Sequence, residues 1–297
     1  MPTAGKDNFI FDTVAIVGVG LIGGSLGMAM KKHDLAGRVI GIGRTEQKLM
    51  RAKILGAIDD YSLDLDNGAA DADLIVICTP VCLIAPSLKR MASSIKPGAI
   101  VTDVGSTKSR VIKEVEAVLP EGIFFVGGHP MAGSEQAGVE SASADLFQEA
   151  TYALTTTENT NLDALGKLAA MADSIGSNVE IMNPDEHDRA VAIISHLPHV
   201  ISAALLEIAE QSQHESGKVF RLAAGSFRDL TRVSDSPPEI WRDICATNSN
   251  ALIHAIEKFM QSLDDFKIAL ESGDEEAISR FFEQASKIRS TYQRICK

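Results

Sequence analysis

Three groups of residues in this sequence have the types and spacing that chemistry needs. The first is Gly18-Val19-Gly20-Leu21-Ile22-Gly23, which follows an apolar run and opens a helical stretch. In that setting Gly18 permits a tight turn, Gly20 lets the backbone approach a pyrophosphate, and Gly23 lets helix and strand pack closely, with the helix N-terminus facing the phosphates. Gly18, Gly20, Leu21, Ile22 and Gly23 are therefore candidate dinucleotide contacts. The second group is Gly128-His129-Pro130-Met131-Ala132-Gly133-Ser134-Glu135, just after a strand. A histidine there can take a proton from a substrate hydroxyl near neutral pH; taken alone, such a histidine is more often a turn or core residue than a catalyst. The third lies in the C-terminal half: Ser195-His196-Leu197-Pro198-His199, Arg228-Asp229-Leu230-Thr231-Arg232 and Trp241-Arg242-Asp243. His187, His196 and His199 include a pair three apart, as metal sites do, but no cysteine or zincin-type acidic motif accompanies them, so no metal is expected.

About twenty residues beyond the glycine loop, a strand-end carboxylate would bind the ribose hydroxyls of NAD. Here the segment is Gly41-Ile42-Gly43-Arg44-Thr45. Gly43 offers no carboxylate, Arg44 can pair with a 2′-phosphate and stack on adenine, and Thr45 adds a hydroxyl, so NADP is favoured over NAD. Ligands of such folds bind outside the carboxyl ends of parallel strands. That rule adds Thr79, Pro80 and Val81 from one strand end and Ser106, from Asp103-Val104-Gly105-Ser106-Thr107-Lys108, from another. Ser106 reads as the N-cap of a helix running to Leu119, a role compatible with facing the nicotinamide.

The elements that position these groups follow from periodicity. Thr13–Val17, Arg38–Ile42, Leu74–Cys78, Ala99–Thr102 and Phe124–Val126 are short strand-like runs separated by helical stretches. That alternation predicts βαβ units and a parallel sheet covered on both faces. Tyr152–Thr156 and Asn178–Ile181, around a helix at Leu162–Ile175, extend the sheet. After Asn183 only helical spacing remains, over Asp185–Gln211, Glu215–Ala224, Glu239–Ser272 and Glu275–Cys296. The expected architecture is α/β: a Rossmann-type dinucleotide-binding domain at 1–183 and an all-helical substrate and dimerisation domain at 184–297.

Composition narrows the function classes. The chain has 297 residues, 45% hydrophobic and 23% charged, with a formal net charge of −12. That balance argues against nucleic acid, which needs a basic face, and an anionic small-molecule substrate must be held by a few placed cations. Four cysteines without disulfide or zinc spacing fit a cytoplasmic enzyme. The uncharged stretch Val14–Met30 is glycine-rich and preceded by acidic residues, so it reads as strand, turn and helix, with no membrane role expected.

With these motifs in order, the chain resembles the prephenate/arogenate dehydrogenases (cyclohexadienyl dehydrogenases) of tyrosine biosynthesis. The match runs through Gly18–Leu26, Thr102–Lys108, Gly128–Glu135, Ser195–His199 and Phe227–Arg232. The resemblance implies oxidation of a cyclohexadienol at its 4-hydroxyl carbon, hydride transfer to NAD(P), and loss of the ring carboxylate as CO2. By position in the family, His129 accepts the hydroxyl proton, Ser106 hydrogen-bonds the same hydroxyl, and Arg232 holds the ring carboxylate. His199, His187, Trp241 and Ser134 match pocket positions, while Glu135, His196, Arg228 and Asp229 match a polar network at the entrance. A homodimer of intertwined helices is also implied. The chain length is expected to leave no room for a regulatory or chorismate mutase domain. Prephenate and arogenate both stay open as substrates. Two alternatives stand beside this reading: a β-hydroxy-acid dehydrogenase of the same architecture, which would need a catalytic lysine in the linker, and a non-catalytic NADP sensor, which would need no base.

Overall fold

In the computed structural model, which describes residues 9–133 and 136–295, the apolar runs of the first half become a single sheet. The elements are β1 (Phe11–Val17), α1 (Leu21–Lys32), β2 (Ala36–Ile42), α2 (Glu46–Ile54), β3 (Asp60–Ser62), α3 (Leu65–Ala69), β4 (Leu74–Ile77), α4 (Ile84–Met91), β5 (Ile100–Asp103), α5 (Ser109–Glu116), β6 (Phe124–Pro130), β7 (Thr151–Thr155), α6 (Leu162–Ser174) and β8 (Asn178–Met182). The strand order is β3-β2-β1-β4-β5-β6-β7-β8. All neighbours are parallel except β6 and β7, which are antiparallel. β3 is an addition to the predicted strands; its Asp60-Tyr61-Ser62 carries no apolar run to reveal it.

Alternation along the strands splits the core. Val14, Ile16, Leu74 and Val76 pack on one face with α1 and α6; Ala15, Val17, Ile75 and Ile77 pack on the other with α4 and α5. A central strand buried on both faces reads as a continuous apolar run, as Leu74-Ile75-Val76-Ile77 does. The strand order reverses between β1 and β4, and a crevice opens there at the carboxyl ends of the strands.

Helices follow β8. Asn183 caps α7 (Pro184–Val191) by accepting the Glu186 amide at 2.8 Å. A π-helical turn, Ala192–His196, then leads into α8 (Leu197–Ser216). Pro198 explains the wide turn: it has no N–H to offer the Ile194 carbonyl, so α-register cannot close there. The predicted helix at Glu215–Ala224 does not form. Gly217 takes a left-handed φ of +68° and ends α8, and only a 3₁₀ turn at Val219–Leu222 follows. α9 (Gly225–Thr231) and α10 (Pro238–Thr247) complete this part, and the predicted helix Glu239–Ser272 breaks at Asn248.

The chain forms two compact units, Met1–Ser249 and Asn250–Lys297. The second is built from α11 (Ser249–Ser272) and α12 (Glu275–Ile295), joined through Gly273 at φ +65°. Phe266, Phe281 and Phe282 cluster with ring centroids 4.8–5.7 Å apart. Met260, Leu263, Ile268, Leu270, Ile288 and Tyr292 stay exposed.

Candidate active site

The glycine loop is shaped by what a side chain would hit. Gly18 has a φ of +94°, and a Cβ there would lie 2.7 Å from the Cys78 carbonyl oxygen. A Cβ on Gly23 would lie 2.3 Å from the Gly18 carbonyl oxygen, so only glycine lets α1 seat this close to β1. Around Gly20, by contrast, no heavy atom would come within 4 Å of a Cβ: the space lies open. α1 starts at that point with no side-chain cap, leaving its first amides to an anion. The crevice, a cavity of about 460 Å³, is lined by Gly20–Gly23, Thr79–Val81 and Ser106. Thr79 Oγ1 is buried there with no hydrogen-bond partner among the described residues. A second cavity of about 540 Å³ continues from Gly20 past Gly43, Arg44, Thr45 and Lys48 to Glu140. Thr45 holds the cap position of α2 without using its hydroxyl as a cap. Open space, uncapped amides and an orphaned hydroxyl fit a dinucleotide, with Lys48 a cation that the sequence reading missed.

The turn carrying Ser106 hangs from a buried ion pair. Asp103 and Lys108 are both fully buried and paired. Lys108 Nζ also donates to the Gly128 carbonyl at 2.8 Å, and Asp103 accepts the amides of Gly105 at 2.8 Å and Gly128 at 3.2 Å. Removing one partner of such a pair strands a buried charge, so the pair locks the turn to β6. Ser106 is not the cap it was expected to be. Because Lys108 is anchored inside, the helix starts later, at Ser109, and the cap position falls on Lys108. The amides of Lys108 and Ser109 are instead received by the Asp188 carboxylate from α7, at 2.7 and 2.9 Å.

Ser106 lies on a wall common to the crevice and a third cavity of about 430 Å³. That cavity is also lined by His129, Ser195, His199, Arg232 and Trp241. His129 sits near the end of β6, its backbone paired with Ala153 of β7. Its Nδ1 is 2.8 Å from His187 Nε2, and His187 Nδ1 is 2.8 Å from Asp188 Oδ1. Burial alone would raise the Asp188 pKa, but hydrogen bonds from His187 and from the Ser109 and Lys108 amides hold it below the usual carboxylate range. An ionised carboxylate only accepts, so His187 carries its proton on Nδ1 and presents a lone pair at Nε2. His129 must then donate from Nδ1, which leaves its own Nε2 as an acceptor. Burial first, then the neighbouring His187, Lys108 and His196, depress the His129 pKa well below its ordinary value. The ring is therefore a neutral imidazole with one available lone pair.

The other expected residues distribute unevenly. His199 and Trp241 stack at 3.7 Å with an interplanar angle of 28°, forming one side of the cavity. His187 was expected in the pocket but is on the buried face of α7, behind His129, with both ring nitrogens engaged. His196 was expected in an entrance network but is wholly buried, its Nδ1 3.3 Å from Asn248 Nδ2, and burial pushes its pKa down to about 4. Arg228 and Asp229 are exposed on α9, none of whose residues is buried, and neither lines the cavity. Ser134 and Glu135 lie outside the described residues. Besides Lys48, Asp188 was missed: its partners Lys108 and Ser109 lie 80 and 79 positions upstream, and no local spacing announces them.

Comparison with known proteins gives one pattern. Residues 26–181 match the family model "Prephenate dehydrogenase, nucleotide-binding domain" and residues 183–284 match "Prephenate dehydrogenase, dimerization domain". The chain is 37% identical over 283 residues to a prephenate dehydrogenase of Bacillus subtilis, covering 95% of this chain and 76% of that one. It is 34% identical over 281 residues to a cyclohexadienyl dehydrogenase of Zymomonas mobilis, covering 94% and 96%. Among solved structures, the Aquifex aeolicus prephenate dehydrogenase in complex with hydroxyphenyl propionate and NAD+ superposes with a TM-score of 0.89, 30% identity, and coverage of 95% and 98%.

Proposed function

The chain belongs to the prephenate dehydrogenase family, and from that premise we propose that it oxidatively decarboxylates prephenate, arogenate or both, using NADP in preference to NAD. The observation that carries the reading is the single cavity where His129, Ser106 and Arg232 converge on the edge of the dinucleotide crevice.

The nicotinamide, when bound, supplies a hydride acceptor. Gly20, Leu21 and Ile22 would hold the pyrophosphate, and Thr79, Pro80, Val81 and Ser106 would line the nicotinamide end. On the substrate side, His129 Nε2 takes the proton of the 4-hydroxyl as the carbon that bears it loses hydride. Ser106, on the common wall, hydrogen-bonds that hydroxyl and fixes its distance to the base. Arg232 clamps the ring carboxylate, and the stacked His199–Trp241 pair bounds the far end. Loss of CO2 makes the ring aromatic, so driving force comes from the substrate. The protein has to supply orientation, a base and a carboxylate clamp.

The preference for NADP rests on Gly43 in place of an acidic residue, with Arg44, Thr45 and Lys48 lining the adenosine end. Assembly as a homodimer is supported by the match to the family's dimerisation domain and by the apolar side chains exposed on the helices, among them Ile193, Ile194 and Ile208. By length and composition, Pro184–Glu215 could cross a bilayer. We read its exposed apolar face as a surface for the helices of a second copy, in the cytoplasm, and set the domain boundary near residue 183. The alternatives have less to stand on: Lys108, buried against Asp103, is no catalytic lysine, and a sensor has no need of a held base.

Purified protein given prephenate or arogenate, with NADP or NAD, tests the whole reading at the absorbance of the reduced cofactor. Reduction with either substrate, faster with NADP, is the expected result. No reduction in any combination overturns the activity, and faster turnover with NAD overturns the cofactor preference.

A further inference from the structure

Behind His129 the hydrogen bonds run in one direction, from His129 Nδ1 to His187 Nε2 and from His187 Nδ1 to Asp188, each at 2.8 Å. Nothing in this arrangement is needed merely to bind substrate: His187 is 1% exposed and Asp188 4%. The groups facing the two rings come from several elements. Lys108, paired with Asp103, approaches from the turn before α5; His196 approaches from the π-helical turn; Asp188 flanks His187 on α7. A positive charge left on His129 would sit, buried, near the Lys108 ammonium. The same charge on His187 would sit in direct hydrogen-bond contact with a carboxylate.

We propose that His187 and Asp188 are positioning residues that draw the proton's charge off the base during turnover. The substrate O–H bond breaks and a His129 Nε2–H bond forms; His129 Nδ1–H then breaks and His187 Nε2–H forms. His187 ends as an imidazolium against the Asp188 carboxylate, and His129 is again neutral, with its proton on Nε2. The hydride goes to the nicotinamide. When the ring carboxylate leaves as CO2, the electron pair of the broken C–C bond aromatises the ring and leaves the 4-oxygen a phenolate. The phenolate takes the proton back by the reverse path, so that atoms and electrons balance with no net proton released. Asp188 does a second job at the same time, since its carboxylate caps α5 at the amides of Lys108 and Ser109. The carboxylate that polarises the base thereby fixes the turn bearing Ser106.

This inference rests on His129 being the base, so His129→Asn is the reference variant. His187→Gln is the discriminating one. Its side-chain oxygen can still accept from His129 Nδ1 and its amide can still donate to Asp188, so the ring stays in place with the same tautomer, but no proton can pass. The expected result is a kcat lower by about 10–100-fold with the substrate KM within about threefold. Asp188→Asn removes the charge, and a lower kcat is expected, by about 10²–10³-fold, with the acid limb of the kcat/KM profile moved to lower pH. Melting curves and cofactor titration accompany each variant. If Asp188→Asn does not fold, His187→Gln decides alone. Wild-type kcat and an unmoved pH profile in His187→Gln overturn the relay, leaving His187 a prop. Normal turnover by His129→Asn overturns the base itself, whatever His187→Gln does.

Discussion

In the cofactor crevice the working parts are backbone: a glycine that must be bare, one that must turn left-handed, and amides at a helix start. In the substrate cavity the working parts are side chains delivered by β6, the turn before α5, the π-helical turn, α8 and the segment up to α10. The glycine loop that starts the crevice has its backbone set within six consecutive residues. The cavity depends on groups as far apart in the chain as Ser106 and Trp241, held by a buried ion pair and a three-member hydrogen-bond chain. A backbone site tolerates almost no added atom, whereas a side-chain site tolerates bulk at its rim but not the loss of a proton partner.

That contrast can be broken most forcefully at His129. His129→Asn is expected to lower kcat by about 10³-fold while leaving cofactor affinity within about twofold, measured by steady-state kinetics and by fluorescence titration of the cofactor. A parallel fall in cofactor affinity would mean that the two regions are not separable. Arg232→Ala is expected to raise the substrate KM by about 10–100-fold with a smaller change in kcat, the loss of one charge-assisted contact. An unchanged KM would move the carboxylate clamp elsewhere. Gly23→Ala sharpens the comparison from the other side. Its Cβ would meet the Gly18 carbonyl oxygen at 2.3 Å, so a loss of about 1–3 kcal/mol in stability and a raised cofactor KM are expected, with the substrate KM spared.

The smallest effect is on stability against pH. His129 and His196 are held neutral in the fold, both chiefly by burial, while in the unfolded chain they titrate around 6.5. Between that value and the depressed one the unfolded state binds more protons, so stability is intact above about 6.5 and falls as pH drops. For His196 the loss ends at about 4. The slope is at most about 1.4 kcal/mol per pH unit for each histidine. Urea denaturation at about pH 7.5 and about pH 5 measures it, and equal midpoints would show that these rings titrate normally.

The same contrast explains what could be read in advance. The glycine loop, the strands around it and the family likeness were legible because local conformation, periodicity and motif order are written in neighbouring residues. His129, Ser106, Arg232, His199 and Trp241, far apart in the chain, line one cavity together. The burial of His187 and His196 and the capping role of Asp188 were not legible, because they depend on how α7 and the π-helical turn after it pack against distant parts of the chain. The break at Asn248 and the π-helical turn escaped for another reason. Both keep the apolar spacing of a helix, and only Pro198 hinted at the second.

One consequence follows from the ladder that holds His129. Its backbone is tied to β7 on a strand that cannot shift without unzipping its neighbour. Arg232 instead opens a short 3₁₀ turn, Arg232–Asp235, between two helices and outside any sheet. Mutations in that segment can reshape the cavity while the His129 ring stays where it is. Such an enzyme can drift from one ring carboxylate substrate to another over evolutionary time without having to reinvent its reaction.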